Sequence, residues 1–503
     1  MLFTEPTFLF VFLPTLLVLY ALPVPRNALL LAASIAFYAT GGGAFTWLML
    51  ASIAVNYLAA LQIDRLGDTA AARRLLRVTV VANLLVLGVF KYAGFVVANV
   101  NAALGLAGLA PFAVPAIALP IGISFFTFHA ISYVVDVRRG DAVAQKGPVE
   151  AALYLLLFPQ LIAGPIIRYR DIASQLAHRV VTRADLAYGA RRFIVGLAKK
   201  MLVANIVAGP ADRIFALPIA QLTAPLAWLA IVCYTLQIYF DFSGYSDMAI
   251  GLGRLFGFRF PENFRYPYGA ASVQDFWRRW HISLSSWFRD YVYVPLGGSR
   301  VSPGRTHVNL VTVFFLCGLW HGASWTFVAW GLFHGAFLVL ERLRGDRVAT
   351  VPGGGAPPGL AVVPGLARRV GGHIYALLVV MVGWVLFRAD TMAGAAGMLR
   401  AMAGLRQGLP TTYAWSWYVT PELLLAMVAG VIGATPVLPA LARRLSARPQ
   451  GAHDGSLPGG PAAAAVLGWA PSVAATLGLA LLLGASIMLS AARTYSPFIY
   501  FRF

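Results

Sequence analysis

Long hydrophobic runs follow one another along the whole chain, separated by short polar stretches, without a strand-like alternation of polar and apolar residues. Such runs predict apolar α-helices, because a helix that crosses a bilayer needs about 20 apolar residues. Several runs are shorter than this, which predicts broken, re-entrant or buried helices beside the complete crossings. The candidate spans are 8–22, 28–40, 45–63, 78–90, 114–135, 151–167, 193–207, 226–240, 308–319, 325–340, 374–387, 423–438 and 466–489.

This pattern predicts an all-α polytopic membrane protein with about eleven transmembrane helices and additional re-entrant or interfacial helices. Composition agrees, because 59% of the 503 residues are hydrophobic and only 12% are charged, whereas a soluble domain carries about 25% charged residues. Two segments rich in Gly and Pro, 348–365 and 447–460, are predicted to be loops outside the membrane. We expect a single membrane domain over 1–503, with its motif-rich core at about 154–340.

The chain carries a formal net charge of +20, which in a soluble protein would suggest a nucleic-acid partner. Here the basic residues flank hydrophobic spans, as expected for cytoplasmic loops beside membrane lipids. Arg65, Arg73, Arg74 and Arg77 form one such cluster, and with Arg26 they predict an N-terminus that faces outside. No basic run with interleaved aromatic residues indicates binding of nucleic acid.

The sequence does not indicate a disulfide, a metal site or a cleaved leader. Cys233 and Cys317 both lie in apolar runs, which predicts small buried side chains. Neither a CxxC nor an HExxH pattern is present. The first span has no basic segment before it and no small-residue cleavage site after it, so we expect it to be retained as a helix.

The segment 274–298, "QDFWRRWHISLSSWFRDYVYVPLGG", is too polar to cross lipid as a simple span. Projected on one helix, its aromatic residues share an arc of about 120°, and four polar residues share the facing side. One interpretation is an interfacial helix whose tryptophans anchor it and whose arginines meet lipid phosphates. The other is a helix that dips into a cavity, where two arginines would keep a neutral imidazole ready to accept a proton or orient a substrate. The facing side consists of Arg278, His281, Ser285 and Arg289; the aromatic side includes Trp277 and Trp280.

A second histidine lies in "GLWHGASW", residues 318–325, inside a run from Thr306 to Leu340 without Asp, Glu, Lys or Arg. Polar residues at membrane depth are costly and tend to mark a site or a water-filled path. His321 has Trp320 as a bulky neighbour and a hydroxyl from Ser324 close by, and histidine suits a general base near neutral pH. The alternative is a core histidine that a backbone carbonyl satisfies.

Two other histidines are predicted to be structural. His334 would lie about 140° from His321 on a continuous helix, so the two do not share a face. His129, in "FFTFHAISY", lies at membrane depth in an apolar run.

Two further motifs are polar. Asp241 and Asp247 close an apolar run, either as caps of a helix end or as a polar tunnel wall, and they lack the further ligands of a metal site. In "FPQLIAGPIIRY", residues 158–169, Gly164–Pro165 predicts a helix break. The aromatic C-terminus "SPFIYFRF" suits an anchor at the membrane interface.

Four motifs in order resemble those of the membrane-bound O-acyltransferase family, and most closely its bacterial alginate O-acetyltransferase branch. They are "FPQLIAGPIIRY", "YFDFSGYSDMAIGLGRLFGFRFPENF", "WRRWHISLSSWFRDYVYVPLGG" and "GLWHGASW". The resemblance implies helices around a narrow tunnel, with the family's catalytic histidine at His321 and its second polar position, a His or Asn, at His281. Trp277, Arg278, Trp280, Arg289, Trp320, Ser324 and Asp247 are then candidates for the tunnel wall.

The resemblance also implies a reaction. A cytoplasmic donor, for which acetyl-CoA is the candidate, would supply an acetyl group for an exported polysaccharide such as alginate, without a resident cofactor. His321 would accept the proton of the attacking hydroxyl, while His281 or an arginine would orient or polarise the thioester carbonyl. The protein would lie in the bacterial inner membrane and hand acetyl to periplasmic acetyltransferase partners. The tail resembles a motif of small partner proteins of D-alanyl-transferring relatives, which makes Tyr500 a candidate acyl relay.

Two other functions stay open at this point. A transporter or flippase would use His321 and Asp247 to line a proton or substrate path. A related acyltransferase would act on peptidoglycan, cellulose or teichoic acid.

Overall fold

A computed structural model describes residues 1–349, 366–405, 414–446 and 460–492. Within these ranges the chain forms α-helices, π-helical turns and 3₁₀ turns but no β-strand, which confirms the all-α class. The helices are α1 Leu13–Ala21, α2 Arg26–Gly42, α3 Phe45–Leu66, α4 Ala70–Leu106, α5 Ile123–Arg139, α6 Pro148–Leu156, α7 Phe158–Leu161, α8 Tyr169–Ala177, α9 Arg183–Ala198, α10 Asn205–Phe215, α11 Ala224–Leu255, α12 Val273–Arg279, α13 Ile282–Phe288, α14 Pro303–His321, α15 Trp325–Ala349, α16 Leu366–Arg388, α17 Met392–Met402, α18 Pro421–Gly433, α19 Val437–Ser446 and α20 Gly460–Ala492. The π-helical turns are Phe8–Phe12, Lys199–Ala204 and Arg289–Tyr293, and the 3₁₀ turns are Ile219–Gln221, Pro267–Gly269 and Trp415–Tyr418.

Seven helices in the described ranges are long and apolar enough to cross a membrane, so the chain is a polytopic membrane protein. Shorter apolar helices accompany them at Phe8–Ala21, Pro148–Leu161 and Pro421–Gly433. The expected total of about eleven crossings stays a prediction. The seven long segments are Phe45–Leu66, Ala70–Leu106, Arg183–Phe215, Ala224–Leu255, Trp325–Gly345, Arg369–Arg388 and Val473–Ala492.

Helix α11 is the centre of the fold, and its closest neighbour is α9. A Cβ atom added to Gly196 would lie 2.5 Å from the carbonyl oxygen of Gly244, and one added to Gly251 would lie 2.7 Å from that of Gly189. Small residues of this kind let the backbones of membrane helices approach closely. The core around α11 includes Cys233, which is buried as predicted, as is Cys317 in α14.

The hairpin of α14 and α15 holds His321 at its turn, and it is packed just as closely. A Cβ atom on Gly318 would lie 2.4 Å from the carbonyl oxygen of Phe327, and one on Gly331 would lie 2.2 Å from that of Phe314. Real Cβ atoms essentially never approach backbone atoms so closely. The backbone of each helix therefore sets the position of the other and of the turn between them.

The prediction that 274–298 forms one helix is wrong. Helix α12 ends at Arg279 and α13 begins at Ile282, because His281 between them has φ +43° and ψ 55°, in the left-handed region. The predicted shared face does not form, since His281 is buried whereas Arg278 and Arg289 are exposed. The break is held by Asn263, whose backbone and side-chain oxygens accept the amide hydrogens of Ile282 and Ser283.

Asp241 and Asp247 do not cap a helix end, so that interpretation is wrong. Both lie inside α11, which continues to Leu255. Asp241 pairs with Lys200 at 2.7 Å, and Asp247 pairs with Lys199 at 2.6 Å and with Arg192. These cations compensate the buried charges and allow the helix to continue through them.

The predicted break at Gly164–Pro165 is confirmed. Helix α7 ends at Leu161, and the chain resumes helical structure only at Tyr169. A Cβ atom on Gly164 would lie 2.5 Å from the Cα atom of Gln160, so the turn needs glycine.

The two predicted loops lie mostly outside the described residues. Where they are described, their ends are helical, because residues 348 and 349 close α15 and residue 460 opens α20. The predictions for the rest of 348–365 and 447–460, and for Tyr500 in the tail, fall outside the described residues.

Candidate active site

His321 ends α14 and lines a cavity of about 350 Å³. Only 5% of the residue is exposed, so the cavity is the space from which a ligand could reach the imidazole. The lining joins the α14–α15 turn to α4, to the start of α5 and to the segment after α7. Its residues are Lys91, Leu119, Pro120, Ile121, Gly122, Ile123, Ser124, Phe125, Ile162, Trp320 and His321.

Aromatic rings hold the imidazole of His321 on several sides. The ring centroids of Trp320, Trp330 and Phe387 lie 4.8, 5.0 and 5.0 Å from the imidazole centroid, all at steep angles. Nδ1 is buried and has no hydrogen-bond partner among the described residues. Each of the other three buried histidines of the described residues also has one ring nitrogen without a partner, so the feature that distinguishes His321 is the cavity that it lines.

Two side chains of α4 contact the end of α14 that carries His321. Lys91 Nζ donates to the carbonyl oxygen of Trp320 and, at 3.3 Å, to that of His321. The hydroxyl of Tyr92 donates to the carbonyl oxygen of Leu319 at 2.6 Å. These are among the carbonyls that a helix end leaves without an intrahelical partner, and a cation suits them because the C-terminal end of the helix dipole is negative.

Lys91 was missed in the sequence. The predicted span 78–90 stopped just before it, whereas α4 runs on to Leu106. The signal was nevertheless present, because a lone lysine in the middle of an apolar stretch marks a candidate functional position.

His281 also packs against the Trp320 indole. The centroid of that indole lies 6.2 Å from the His281 imidazole and 4.8 Å from the His321 imidazole. His281 Nδ1 lies 3.2 Å from Oδ1 of Asn263, and its buried Nε2 has no partner among the described residues. His281 is not among the residues that line the cavity, so the two predicted histidines share one indole without sharing the cavity.

Asn263 is a second residue missed in the sequence, and it ties three motifs together. Its Oδ1 accepts hydrogen bonds from the amide and the hydroxyl of Ser283, at 3.2 and 2.9 Å. The Ser283 hydroxyl oxygen in turn accepts the amide hydrogen of Ile166, at 2.9 Å. The broken segment 158–169 and the left-handed His281 are therefore positioned by one amide side chain that lies 18 residues before the histidine.

The other two buried histidines make contacts that fit structural roles. The amide of Ile167 donates to His129 Nε2 at 3.3 Å, and the indole nitrogen of Trp277 donates to His334 Nδ1 at 3.4 Å. Neither histidine lines the cavity at His321.

The remaining candidates for the tunnel wall separate into five groups. Trp320 lines the cavity with His321, and Ser324 lines a second cavity of about 400 Å³ that also contains Lys91. Trp277 and Trp280 pack in the core against other aromatic rings. Asp247 lines a third cavity, and the side chains of Arg278 and Arg289 are exposed.

The third cavity measures about 1100 Å³ and lies between α9, α11 and α18, with α20 at its side. Leu425, Leu438, Leu482 and Leu489 form much of its apolar wall. Its charged lining consists of three acidic residues, Asp247, Glu262 and Glu422, and four basic residues, two of which pair with Asp247. These basic residues are Arg191, Arg192, Lys199 and Arg265.

Residues 79–352 match the family model for MBOAT, the membrane-bound O-acyltransferase family. The chain belongs to this family. It is therefore an O-acyltransferase, and Lys91, Asn263, His281 and His321 all lie within the matched residues.

Relatives over the full length agree with the family. The chain is 43% identical to a protein of Azotobacter vinelandii named "Probable alginate O-acetylase", and 40% identical to one of the same name from Pseudomonas aeruginosa, with all of each chain covered. It is 34% identical to a peptidoglycan O-acetyltransferase of Helicobacter pylori, over 80% of each chain.

An ion cluster outside the spans fastens this acyltransferase's broken segment to the π-helical turn after α13. Asp290 pairs with Arg168, with Arg170 at 2.6 Å and with Arg289 at 2.8 Å. Burial tends to raise the pKa of Asp290, but the hydrogen bond from Arg289 and the charges of the three arginines outweigh it and hold the pKa below its usual value.

Proposed function

We propose that this acyltransferase transfers an acetyl group from acetyl-CoA, bound from the cytoplasmic side, for O-acetylation of an exported polysaccharide such as alginate. The observation that carries the proposal is that His321, alone among the buried histidines of the described residues, lines the cavity of about 350 Å³ at the end of α14. The two full-length relatives named as probable alginate O-acetylases support the acetyl group and the class of acceptor.

In the proposed reaction His321 acts as the general base. It accepts the proton of the acceptor hydroxyl while the hydroxyl oxygen attacks the thioester carbonyl carbon. Collapse of the tetrahedral intermediate forms the ester and expels the coenzyme A thiolate, which takes the proton from His321. General base catalysis contributes about 10²–10⁴-fold, and alignment of thioester and hydroxyl in a dry cavity adds to it.

His281 takes a supporting role in this proposal. Asn263 Oδ1 already accepts the amide hydrogen of Ser283, so the atom facing His281 Nδ1 is an oxygen and Nδ1 carries the proton. The Nε2 atom of a neutral His281 is then an acceptor. It can orient a hydroxyl, whereas it has no hydrogen to polarise the thioester carbonyl.

The proposal also includes a region that binds the acetyl donor, a location in the cell and partner proteins. Arg191 and Arg265 are exposed at the third cavity, and guanidinium groups suit the phosphates of coenzyme A. The protein would lie in the bacterial inner membrane, with periplasmic acetyltransferases as partners. Tyr500 would relay the acetyl group to them as an ester of its phenol, and Tyr500→Phe would then abolish acetylation of the product.

A second candidate acceptor is peptidoglycan, which the Helicobacter pylori relative favours by its name. Relatives named "Teichoic acid D-alanyltransferase" are 30% identical to this chain but cover less than half of it, so they support that acceptor more weakly than the full-length relatives support alginate. A transporter does not explain the family to which the chain belongs. Purified protein that turns over acetyl-CoA in detergent would separate an enzyme from a transporter.

The test uses cells that lack the protein and produce the polysaccharide. They are complemented at matched membrane levels with wild type, His321→Ala or the control His334→Gln, which changes a buried histidine outside the cavity. We expect His321→Ala to lose O-acetyl groups with unchanged polymer yield, while His334→Gln retains them. Normal acetylation in His321→Ala would refute the role of His321, and loss of the polymer itself would favour a transporter.

A further inference from the structure

The ammonium group of Lys91 stands between the two cavities at the end of α14. It lines the cavity of about 350 Å³ with His321 and the cavity of about 400 Å³ with Ser324. Its Nζ lies 5.8 Å from the centroid of the Trp320 ring, and it donates to the carbonyl oxygens of Trp320 and His321. The basic group is therefore fixed beside the imidazole by the backbone of the same turn.

The two hydrogen bonds of Lys91 use only part of the donor capacity of its ammonium group. An ammonium carries three N–H donors, and the described residues provide acceptors for two of them. The third remains for a ligand in either cavity. Because most of the residues that line the His321 cavity are apolar, a hydrogen bond from this cation to a developing negative charge is stronger there than in open solution.

The candidates that the resemblance suggested for polarising the donor carbonyl, His281 and an arginine, do not line the cavity. Arg278 and Arg289 are exposed and are not among its lining residues. His281 donates through Nδ1 to Asn263, and its Nε2 has no hydrogen to give when the ring is neutral. Among the described lining residues, Lys91 is the cation beside His321.

We propose that Lys91 is a catalytic residue whose third N–H stabilises the oxyanion of the tetrahedral intermediate; this proposal rests on the proposed acyl transfer. As the acceptor oxygen bonds to the thioester carbon, the carbonyl electron pair moves onto oxygen, which accepts a hydrogen bond from Lys91 Nζ. The acceptor's proton rests on His321. When the C–S bond breaks, the oxygen pair re-forms the carbonyl and the thiolate receives that proton.

The competing explanation is that Lys91 only caps α14. Tyr92 provides a matched control, because its hydroxyl caps the carbonyl of Leu319 on the same helix end and it is not a lining residue of either cavity. Lys91→Gln keeps amide hydrogens for capping but loses the charge. Lys91→Arg keeps the charge.

The experiment measures transfer of label from [acetyl-¹⁴C]acetyl-CoA to polymer in membranes of the producing cells, at graded donor concentration and matched protein levels. We expect Lys91→Gln to lower the maximal rate about 10²-fold, the usual effect of removing one oxyanion donor, with less than about a threefold change in KM. Lys91→Arg should exceed Lys91→Gln at least about tenfold, and Tyr92→Phe should stay within about threefold of wild type.

Each other outcome has a definite meaning. Wild-type rates in Lys91→Gln would overturn the proposal. An equal loss of rate in Tyr92→Phe and Lys91→Gln would also overturn it, because capping of α14 would then explain the effect. An equal loss of rate in Lys91→Arg and Lys91→Gln would overturn it as well, because the shape of the side chain and not its charge would then explain the effect. His321→Ala, measured in the same membranes, distinguishes failure of the Lys91 proposal from failure of the acyl-transfer proposal. Undiminished transfer in His321→Ala would refute the acyl-transfer proposal itself.

Discussion

Gly331→Ala should displace the turn that carries His321 without touching that residue. The added Cβ atom would lie 2.2 Å from the carbonyl oxygen of Phe314 and 3.2 Å from the Cα atom of Gly318, and both are backbone atoms that cannot rotate away. An ordinary contact needs at least 3.4 Å, so α14 and α15 must separate by roughly 1 Å. Overpacking of this kind costs about 1–3 kcal/mol of stability.

The larger effect is expected on activity, because His321 stands three residues beyond Gly318 in the same helix. A misplacement of about 1 Å in a reacting group costs about 10²-fold in rate. We therefore expect Gly331→Ala to lower label transfer from acetyl-CoA by about that factor, with a lower midpoint of thermal unfolding in detergent.

Gly345→Ala is the matched control on the same helix, since a Cβ atom there meets nothing within 4 Å. Alanine favours a helix over glycine by about 1 kcal/mol, so this variant should be as stable as wild type or slightly more so, and fully active. Wild-type transfer and stability in Gly331→Ala would refute the reasoning that the close approach of the two backbones positions His321.

Two further predictions concern buried and clustered charges. Lys200→Met should destabilise the protein by about 3–5 kcal/mol because it leaves Asp241 buried without its cation, whereas the double variant with Asp241→Leu should recover much of that loss; equal thermal midpoints for single and double variants would contradict this. The lowered pKa of Asp290 predicts a stability contribution that is complete above the usual carboxyl pKa, near 4, and is lost as the pH falls through the lowered value. Thermal midpoints measured between about pH 6 and pH 3 should therefore fall more for wild type than for Asp290→Asn, and parallel curves would contradict the pKa argument.

The helical class, the membrane location and several local breaks were readable from the sequence because each depends on neighbouring residues. Apolar runs of sufficient length predict helices in lipid, where the backbone must satisfy its own hydrogen bonds. Gly164–Pro165 ends α7 wherever the segment lies, because proline and glycine act locally. His321 was identified in the same way, since a polar residue inside a long apolar run stands out without knowledge of its contacts.

The break at His281 had no such signal. Neither glycine nor proline marks it, and the left-handed backbone of a histidine is stable there because Asn263 supplies acceptors from 18 residues away. Projection on one continuous helix therefore placed Arg278 and Arg289 on the same face as His281. In the structure both arginines are exposed, whereas His281 is buried.

The contacts that surround His321 could not be predicted from local sequence either and became visible only in the tertiary structure. Lys91 reaches the end of α14 across 230 residues of sequence, and Asp241 and Asp247 pair with lysines of the π-helical turn that follows α9. Local pattern determined which segments are helices and where polar groups interrupt them, because periodicity and chain stiffness act over a few residues. Which polar groups meet depends on how closely the helices pack, and that is decided by contacts between segments far apart in the chain.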